Sequence, residues 1–503
     1  MKPKIDYFSS ESLRHDLKGK TIRGGLATGI AQALRIVIGL GTIPALARLL
    51  QPEDFGLVAM VGFFTNFGAM FVDAGLSKAT VQREDITKSQ VNTLFWITTS
   101  LAISLALGVA AMSPLIGRFY GEPRLVPITL ALTISYLLNG LTVQSQALLR
   151  RGMQFKSLAF ADVFSQLIGQ SAGIAWAWRY YQQPNDYWAL VLIPLVIGSA
   201  RLVIIWIACG WLPSKPGYDK TVWPMLWYGL NLSGGNFTNY FARNGDTAII
   251  GWYWGDTPLG FYERAYKLLL YPLNLINGPL TSIAVPALSR LKTNPAGYRR
   301  FFRRGVQLST SIFIPLVIAS FVLAEPLVLT LLGSGWEESI PIFLALCPAA
   351  LATATAPSST WVYQSWGHTG LFFKFVLVNT FFTLLGFVIA VPFGTFWVAV
   401  SYSVVTCVLR VPYVFLCVRP TPLKPSDQFG PMVIPTVASI VAALAVYLAQ
   451  TWWSDFELSF VQLIAGSSVF GATYMGSFGI TPAGREYLRE MISTFRPKKR
   501  TQA

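Results

Sequence analysis

The chain has 503 residues, of which 53% are hydrophobic and only 12% charged, with a formal net charge of +16. A mean hydropathy of +0.50 lies far from a soluble globular balance and places the chain in a bilayer. With only His15 and His368, and no glycine-rich phosphate loop after a strand-like run, the sequence argues against a histidine metal site, a histidine proton relay and ATP hydrolysis, and no cofactor or metal is expected.

Residues 1–20 are polar and charged, so no cleavable signal peptide is expected and the first span serves as the insertion signal. Apolar runs of about 20 residues then predict fourteen spans, near 22–47, 55–77, 91–112, 125–148, 157–178, 187–210, 223–252, 258–286, 305–331, 339–364, 370–391, 394–418, 430–452 and 458–479. The spans at 223–252 and 258–286 are the most polar, the first rich in Asn and Gly and the second containing Glu263, Arg264 and Lys267. The expected fold is an all-α polytopic membrane protein.

With the amino terminus cytoplasmic, most Lys and Arg fall on that side, and only Arg48, Arg118, Arg124 and Arg179 fall opposite. That positive-inside bias puts both termini in the cytoplasm. The runs Arg299-Arg300-Phe301-Phe302-Arg303-Arg304 and Lys498-Lys499-Arg500 therefore read as topology signals and contacts with anionic membrane lipids, with no nucleic-acid partner. The four cysteines lie within spans or at their ends, where none is placed for an exported disulfide.

The first span carries a polar stripe, Thr28, Gln32, Arg35, Gly39 and Thr42, at alternating steps of four and three that share one helical face. Counting on by 204 gives Leu232, Asn236, Asn239, Arg243 and Asp246. An arginine at a span centre costs at least ~2.5 kcal/mol on insertion scales, so it should face a bundle interior or a wet cavity. Other segments repeat too. Phe55-Gly56-Leu57 maps onto Leu259-Gly260-Phe261 at 204, and Val126-Pro127-Ile128-Thr129-Leu130-Ala131-Leu132 onto Ile340-Pro341-Ile342-Phe343-Leu344-Ala345-Leu346 at 214.

Six helices, six related helices and two more follow from this duplication, as in a transporter built from parallel repeats. The expected organisation is a cytoplasmic segment 1–21, an N-lobe 22–211, a connector 212–222, a C-lobe 223–418, a last helix pair 419–479 and a basic cytoplasmic tail 480–503.

If the first two helices of each lobe line one cleft, Arg35, Arg243, Arg264 and Lys267 make it basic and suited to a diphosphate headgroup, because guanidinium offers bidentate donors and lysine a point charge. Gln32, Asn66, Asp73, Asn236, Asn239, Asp246, Asn274 and Asn277 complete its polar lining. The competing reading pairs these charges internally, Arg243 with Asp246 and Glu263 with Lys267, whereas Arg35 has no acid within four residues. Asp162, followed by Gln166, Gln170 and Gly173 at helical spacing, joins Asp73 and Asp246 as a candidate for H+ or Na+ coupling. Arg201 and Arg410 are read as snorkelling structural residues. Trp252, Tyr253, Trp254 and Tyr262 are candidates for stacking on sugars, against an interfacial aromatic belt. Gly25-xxx-Gly29 reads as close helix packing, and the acidic pairs Glu337-Glu338 and Asp455 with Glu457 as solvated helix ends.

Three motifs carry a resemblance to a known family: Ala47-Arg48-Leu49-Leu50-Gln51-Pro52-Glu53-Asp54-Phe55-Gly56-Leu57, Arg150-Arg151-Gly152-Met153-Gln154-Phe155, and Leu259-Gly260-Phe261-Tyr262-Glu263-Arg264-Ala265-Tyr266. Over residues 18–420 the chain resembles the polysaccharide flippases of the multidrug/oligosaccharidyl-lipid/polysaccharide exporter superfamily, in particular the colanic-acid-exporter-like branch. The resemblance implies a two-lobed bundle in the bacterial inner membrane. It would move undecaprenyl-diphosphate-linked oligosaccharide by alternating access, driven by an H+ or Na+ gradient or the membrane potential, with polysaccharide polymerase machinery as a partner. The drug-exporting relatives place a carboxylate on the first helix, where this chain has Arg35. A small-molecule or drug:cation antiporter is the competing transporter reading. A polymerase or ligase of the same pathway is a third, which the short exported loops disfavour.

Overall fold

The computed structural model describes residues 7–8, 17–73, 75–83, 85–217, 219–354, 356–452, 458–481 and 484–485. Every regular element among them is helical. In chain order these are α1 (Leu17–Leu49), α2 (Pro52–Asp73), α3 (Leu76–Gln82), α4 (Lys88–Tyr120), α5 (Leu125–Arg151), α6 (Phe155–Arg179), α7 (Trp188–Cys209), α8 (Trp223–Trp254) and α9 (Asp256–Arg290). There follow α10 (Pro295–Val322), α11 (Ala324–Leu331), α12 (Ser339–Ala354), α13 (Ala356–Trp366), α14 (Thr369–Ala390), α15 (Thr395–Val418), α16 (Pro425–Phe429), α17 (Val433–Ala449) and α18 (Ser459–Ile480). Eleven helices among the described residues are long and apolar enough to cross a membrane. The expected spans at 157–178, 223–252 and 258–286 are helical as α6, α8 and α9 but are not among those eleven. The chain is a multi-pass membrane protein.

Its contacts divide it into two units, Met1–Glu263 and Arg264–Ala503, so that α8, expected to open the second lobe, groups with the first unit. Local sequence sets the helix ends. Thr87 caps α4 by accepting from the Gln90 amide at 3.2 Å, while the Gln90 side chain accepts from the Thr87 amide at 3.1 Å, a reciprocal capping box. α2 gives way to α3 at Gly75, whose φ of 74° is a left-handed conformation that a Cβ would strain.

In the first unit, α6 and α7 pack backbone to side chain. A Cβ on Gly169 would sit 2.3 Å from Ile197 Cγ1, and one on Gly173 2.4 Å from Ile193 Cγ1. Lipid is as apolar as leucine, so close approach of small residues, rather than water exclusion, is what holds such a pair. Gly25 and Gly29 behave differently. Both are exposed, and an added Cβ at either meets nothing within 4 Å, which corrects their reading as a packing motif.

The sequence repeat recurs in the element boundaries. Starts at Pro52 and Asp256 differ by 204, and starts at Leu125 and Ser339 by 214. Within the first unit it produces a reciprocal contact: a Cβ on Gly56 would lie 1.9 Å from the Asp256 carbonyl oxygen, and one on Gly260 1.8 Å from the Pro52 carbonyl oxygen. Pro52 and Asp256, like Gly56 and Gly260, are repeat equivalents, so each helix start sets its glycine on the other's first carbonyl.

In the second unit, Arg299 Nε donates 2.7 Å bonds to both carboxylate oxygens of buried Asp427, fastening α16 to α10. At least this member of the basic run thus has a structural role besides topology. Tyr298 and Ser365 share a 2.8 Å bond, and Trp361 Nε1 donates to Thr281 Oγ1 at 3.0 Å. The last pair, α17 and α18, closes on α10 through Leu323, Phe470, Tyr474 and Phe478.

The reciprocal glycine contact generates a stability prediction. Gly56→Ala and Gly260→Ala should each cost about 1–3 kcal/mol by overpacking. The double variant should cost less than the two together, because one displacement relieves both clashes. Thermal unfolding of the purified variants checks this, and strict additivity would show that the two contacts are independent.

Candidate functional site

The α1 stripe is open within its unit: Thr28 and Arg35 are exposed and Gln32 is half-buried. Arg35 is nevertheless held. Its Nε donates to Gln166 Oε1 at 2.9 Å, and Gln166 Nε2 returns a bond to the Arg35 carbonyl oxygen at 3.0 Å. No carboxylate reaches this guanidinium among the described residues.

Arg243 on α8 is exposed. The expected internal pair with Asp246 does not form: Asp246 is buried and accepts from Tyr262 Oη at 2.8 Å and from the Thr247 amide at 2.8 Å. Tyr262 is itself 1% exposed, which corrects its reading as a sugar-stacking residue. Trp252, Tyr253 and Trp254 are exposed, and Trp252 stacks on Phe119 at 6.3 Å between centroids. Tyr240 Oη ties α8 to α2 by donating to the Phe63 carbonyl at 2.5 Å.

The remaining acids are engaged locally. Asp73 accepts from the Ser77 amide at 2.8 Å and from Ser77 Oγ at 2.6 Å, in the first turn of the short α3. Asp162 pairs with Arg201 at 3.0 Å. Arg201 also reaches Gln146, whose amide, turned to face its donors, accepts 2.8 Å bonds from Arg201 and Arg150. Arg410 donates to Ser359 Oγ at 3.4 Å and lies 5.1 Å over the Tyr413 ring, a tether by polar and π contacts. Asn66 is exposed, as is Lys267, while Arg264 is half-buried. The side chains of Asn236, Asn239, Asn274 and Asn277 lie outside the described residues, as do Asp455 and Glu457.

One cluster escaped the sequence reading. On the expected exported side of the first unit, Arg124 bonds Glu122 at 2.8 Å, Asp256 at 3.2 Å and Glu53. Asp54, one residue on, is buried, as is Asp186, and accepts from the Gln51 amide at 2.7 Å. The sequence signal was present in Arg124 as one of few exported cations, but its three acids come from separate segments, with only Glu122 nearby in the chain.

A family model described as polysaccharide biosynthesis protein matches residues 45–341, more than half of the chain. The chain belongs to the polysaccharide biosynthesis protein family. Among relatives in that setting, it is 23% identical over 411 residues to lipopolysaccharide biosynthesis protein WzxC of Escherichia coli, covering 80% of this chain and 82% of the relative. It is 24% identical over 468 residues to succinoglycan biosynthesis transport protein ExoT of Rhizobium meliloti, covering 91% and 92%. Among solved structures, lipid II flippase MurJ in an inward closed conformation matches with a TM-score of 0.71 at 13% identity, over 94% of this chain and 100% of that one. An inward-facing multidrug resistance MATE family transporter of the MOP superfamily matches with a TM-score of 0.61 at 15% identity, over 79% and 96%. This family member therefore shares the MurJ and MATE fold.

The Arg124 cluster yields a pH prediction. Hydrogen bonding to Arg124 holds the Glu122 carboxyl below the usual glutamate range. A carboxyl lowered on folding contributes stability that is present above its unfolded value and lost as pH falls through the folded one. Wild-type thermal stability from this source should be flat from about pH 7 to 5 and fall below about pH 4. In Arg124→Gln that part of the fall should vanish, as read by unfolding midpoints across pH.

Proposed function

We propose that this protein is a secondary transporter that flips an undecaprenyl-diphosphate-linked oligosaccharide from the cytoplasmic to the exported leaflet of the bacterial inner membrane, with both termini cytoplasmic. The relatives named for lipopolysaccharide biosynthesis and succinoglycan transport support the substrate class, and the flippase name of MurJ supports the type of movement. The observation that carries the reading is electrostatic. Arg35 and Arg243 are exposed on membrane-length helices with no carboxylate partner among the described residues, while Asp162 and Asp246 are satisfied elsewhere.

A lone guanidinium at membrane depth is costly unless an anion or water meets it. A diphosphate meets it with paired acceptors, each charge-assisted bond being worth about 1.5–3 kcal/mol. The lipid tail remains in the bilayer while the diphosphate and sugars cross through a polar path, because unsatisfied polar groups cost several kcal/mol each in hydrocarbon. Arg264 and Lys267 are the proposed anion contacts of the second unit. Net positive charge disfavours the competing export of cationic drugs.

Movement is driven either by an H+ or Na+ gradient or by the membrane potential, worth about 2.3 kcal/mol per charge per 100 mV. Asp73, Asp162 and Asp246 remain the proposed coupling carboxylates, and each would have to exchange its present partner for the ion. A polymerase that consumes the flipped repeat unit is the proposed partner.

Arg35→Ala and Arg243→Ala should each lower polysaccharide export at least tenfold with membrane insertion unchanged, since one lost charged hydrogen bond is worth about 10–100-fold. Export and membrane-fraction abundance in a deletion strain carrying each variant provide the readout, and normal export in both variants removes the diphosphate role. Lys267→Glu should impair export more than Lys267→Ala. Equal phenotypes would mean that the charge of Lys267 is not used on substrate.

A further inference from the structure

The α6 polar run is not spent on packing alone. Gln166 is 9% exposed, and in hydrocarbon or protein a buried amide needs partners for both its oxygen and its nitrogen. Both go to Arg35: the oxygen takes Nε–H and the nitrogen bonds the backbone carbonyl of the same residue. The guanidinium is thus gripped at its inner nitrogen, with its two terminal amino groups, the pair that forks onto an oxyanion, left clear of every described hydrogen bond.

The grip is neutral, and this distinguishes it from an ordinary ion pair. A carboxylate at position 166 would still accept from Arg35 Nε but would cancel its charge and lose the bond to the Arg35 carbonyl. A carboxylate does lie close by. Gly24 packs on Phe155 as Arg35 packs on Gln166, with the same separation of 131 positions, so α1 and α6 run parallel and in register. Asp162 is then one turn below Gln166 on the same face, about 6 Å along the axis and within the swing of an arginine side chain.

What keeps Asp162 from Arg35 is Arg201. The glycines Gly169 and Gly173 let α7 close on α6 against Ile197 and Ile193. Continuing that antiparallel register brings Arg201 opposite Ser165, one turn from Asp162, which its side chain binds at 3.0 Å. Gln146 accepts from the same terminal nitrogen of Arg201 at 2.8 Å.

We propose that Gln166 and Arg201 are positioning residues for Arg35: Gln166 aims its terminal amino groups at the anionic headgroup, and Arg201 sequesters Asp162 so that Arg35 keeps its charge for that headgroup. This rests on the reading of Arg35 as a diphosphate contact. It also gives Asp162 and Arg201 a role other than ion coupling and snorkelling. Neither residue touches the substrate. Both act through Arg35.

The test uses the purified full-length protein in detergent. Its affinity for geranylgeranyl diphosphate is measured by thermophoresis, with geranylgeraniol subtracting the contribution of the tail and unfolding midpoints checking the fold. Arg35→Ala should weaken binding at least about tenfold; unchanged binding there defeats the parent reading of Arg35. Given that loss, Gln166→Leu and Arg201→Ala should each weaken binding about three- to tenfold.

Two further variants separate positioning from simple structural support. Gln166→Glu keeps the acceptor for Nε while losing the donor to the Arg35 carbonyl, and should weaken binding more than Gln166→Leu although its unfolding midpoint is no lower than that of Gln166→Leu. The double variant Asp162→Asn with Arg201→Ala should return to within about twofold of wild-type affinity, because no acid remains to capture Arg35. Wild-type affinity in Gln166→Glu overturns the role of Gln166. A double variant as weak as Arg201→Ala overturns sequestration and makes Arg201 either a direct contact or a structural support.

Discussion

Arg35 is a guanidinium on a membrane-length helix that is held without being neutralised. Burying or half-burying an arginine in a bilayer normally ends in an ion pair, and Arg201 with Asp162 is such a case. Arg35 is handled differently, by a glutamine amide that supplies hydrogen-bond geometry and no charge. α6 packs between α1 and α7, and the two contacts use different residues. One face of α6 must carry Gln166 toward α1, while Gly169 and Gly173 admit α7 closely enough to occupy Asp162.

The polar helices also explain why the chain reads unevenly as a membrane protein. The eleven strongly apolar helices form the bulk that lipid solvates, whereas α6, with Asp162, Gln166 and Gln170, is among the three expected spans outside that set. The proposed function is concentrated where hydropathy is weakest, which is the expected trade between insertion energy and a wet path. The closely fitted start of α2 is a second fixed point, where Gly56 and Gly260 leave no room for any side chain.

The duplication was legible from sequence because it is written in backbone-critical residues. Gly56 and Gly260 align at 204 and meet each other's repeat partners in space. The helices themselves were legible from apolar run length. The partnerships were less so. Arg243 and Asp246 stand at i, i+3, yet Asp246 is buried and bonded by Tyr262 on the next helix, a tertiary partner that local spacing does not show. The lack of an acid near Arg35 was visible in the sequence, but its glutamine partner, 131 positions away, was not. The Arg124 cluster was invisible for the same reason, since two of its three acids are brought to it only by folding.

The account stands on the claim that an anionic headgroup completes the coordination of Arg35 and Arg243. The most direct measurement is a cryo-electron microscopy map of the full-length protein with a bound undecaprenyl-diphosphate-linked sugar. Phosphate density is expected within hydrogen-bonding distance of the Arg35 terminal nitrogens, with the Gln166 grip and the Asp162–Arg201 pair both intact. Phosphate density remote from both Arg35 and Arg243, or Asp162 moved onto Arg35 in the loaded protein, would contradict it.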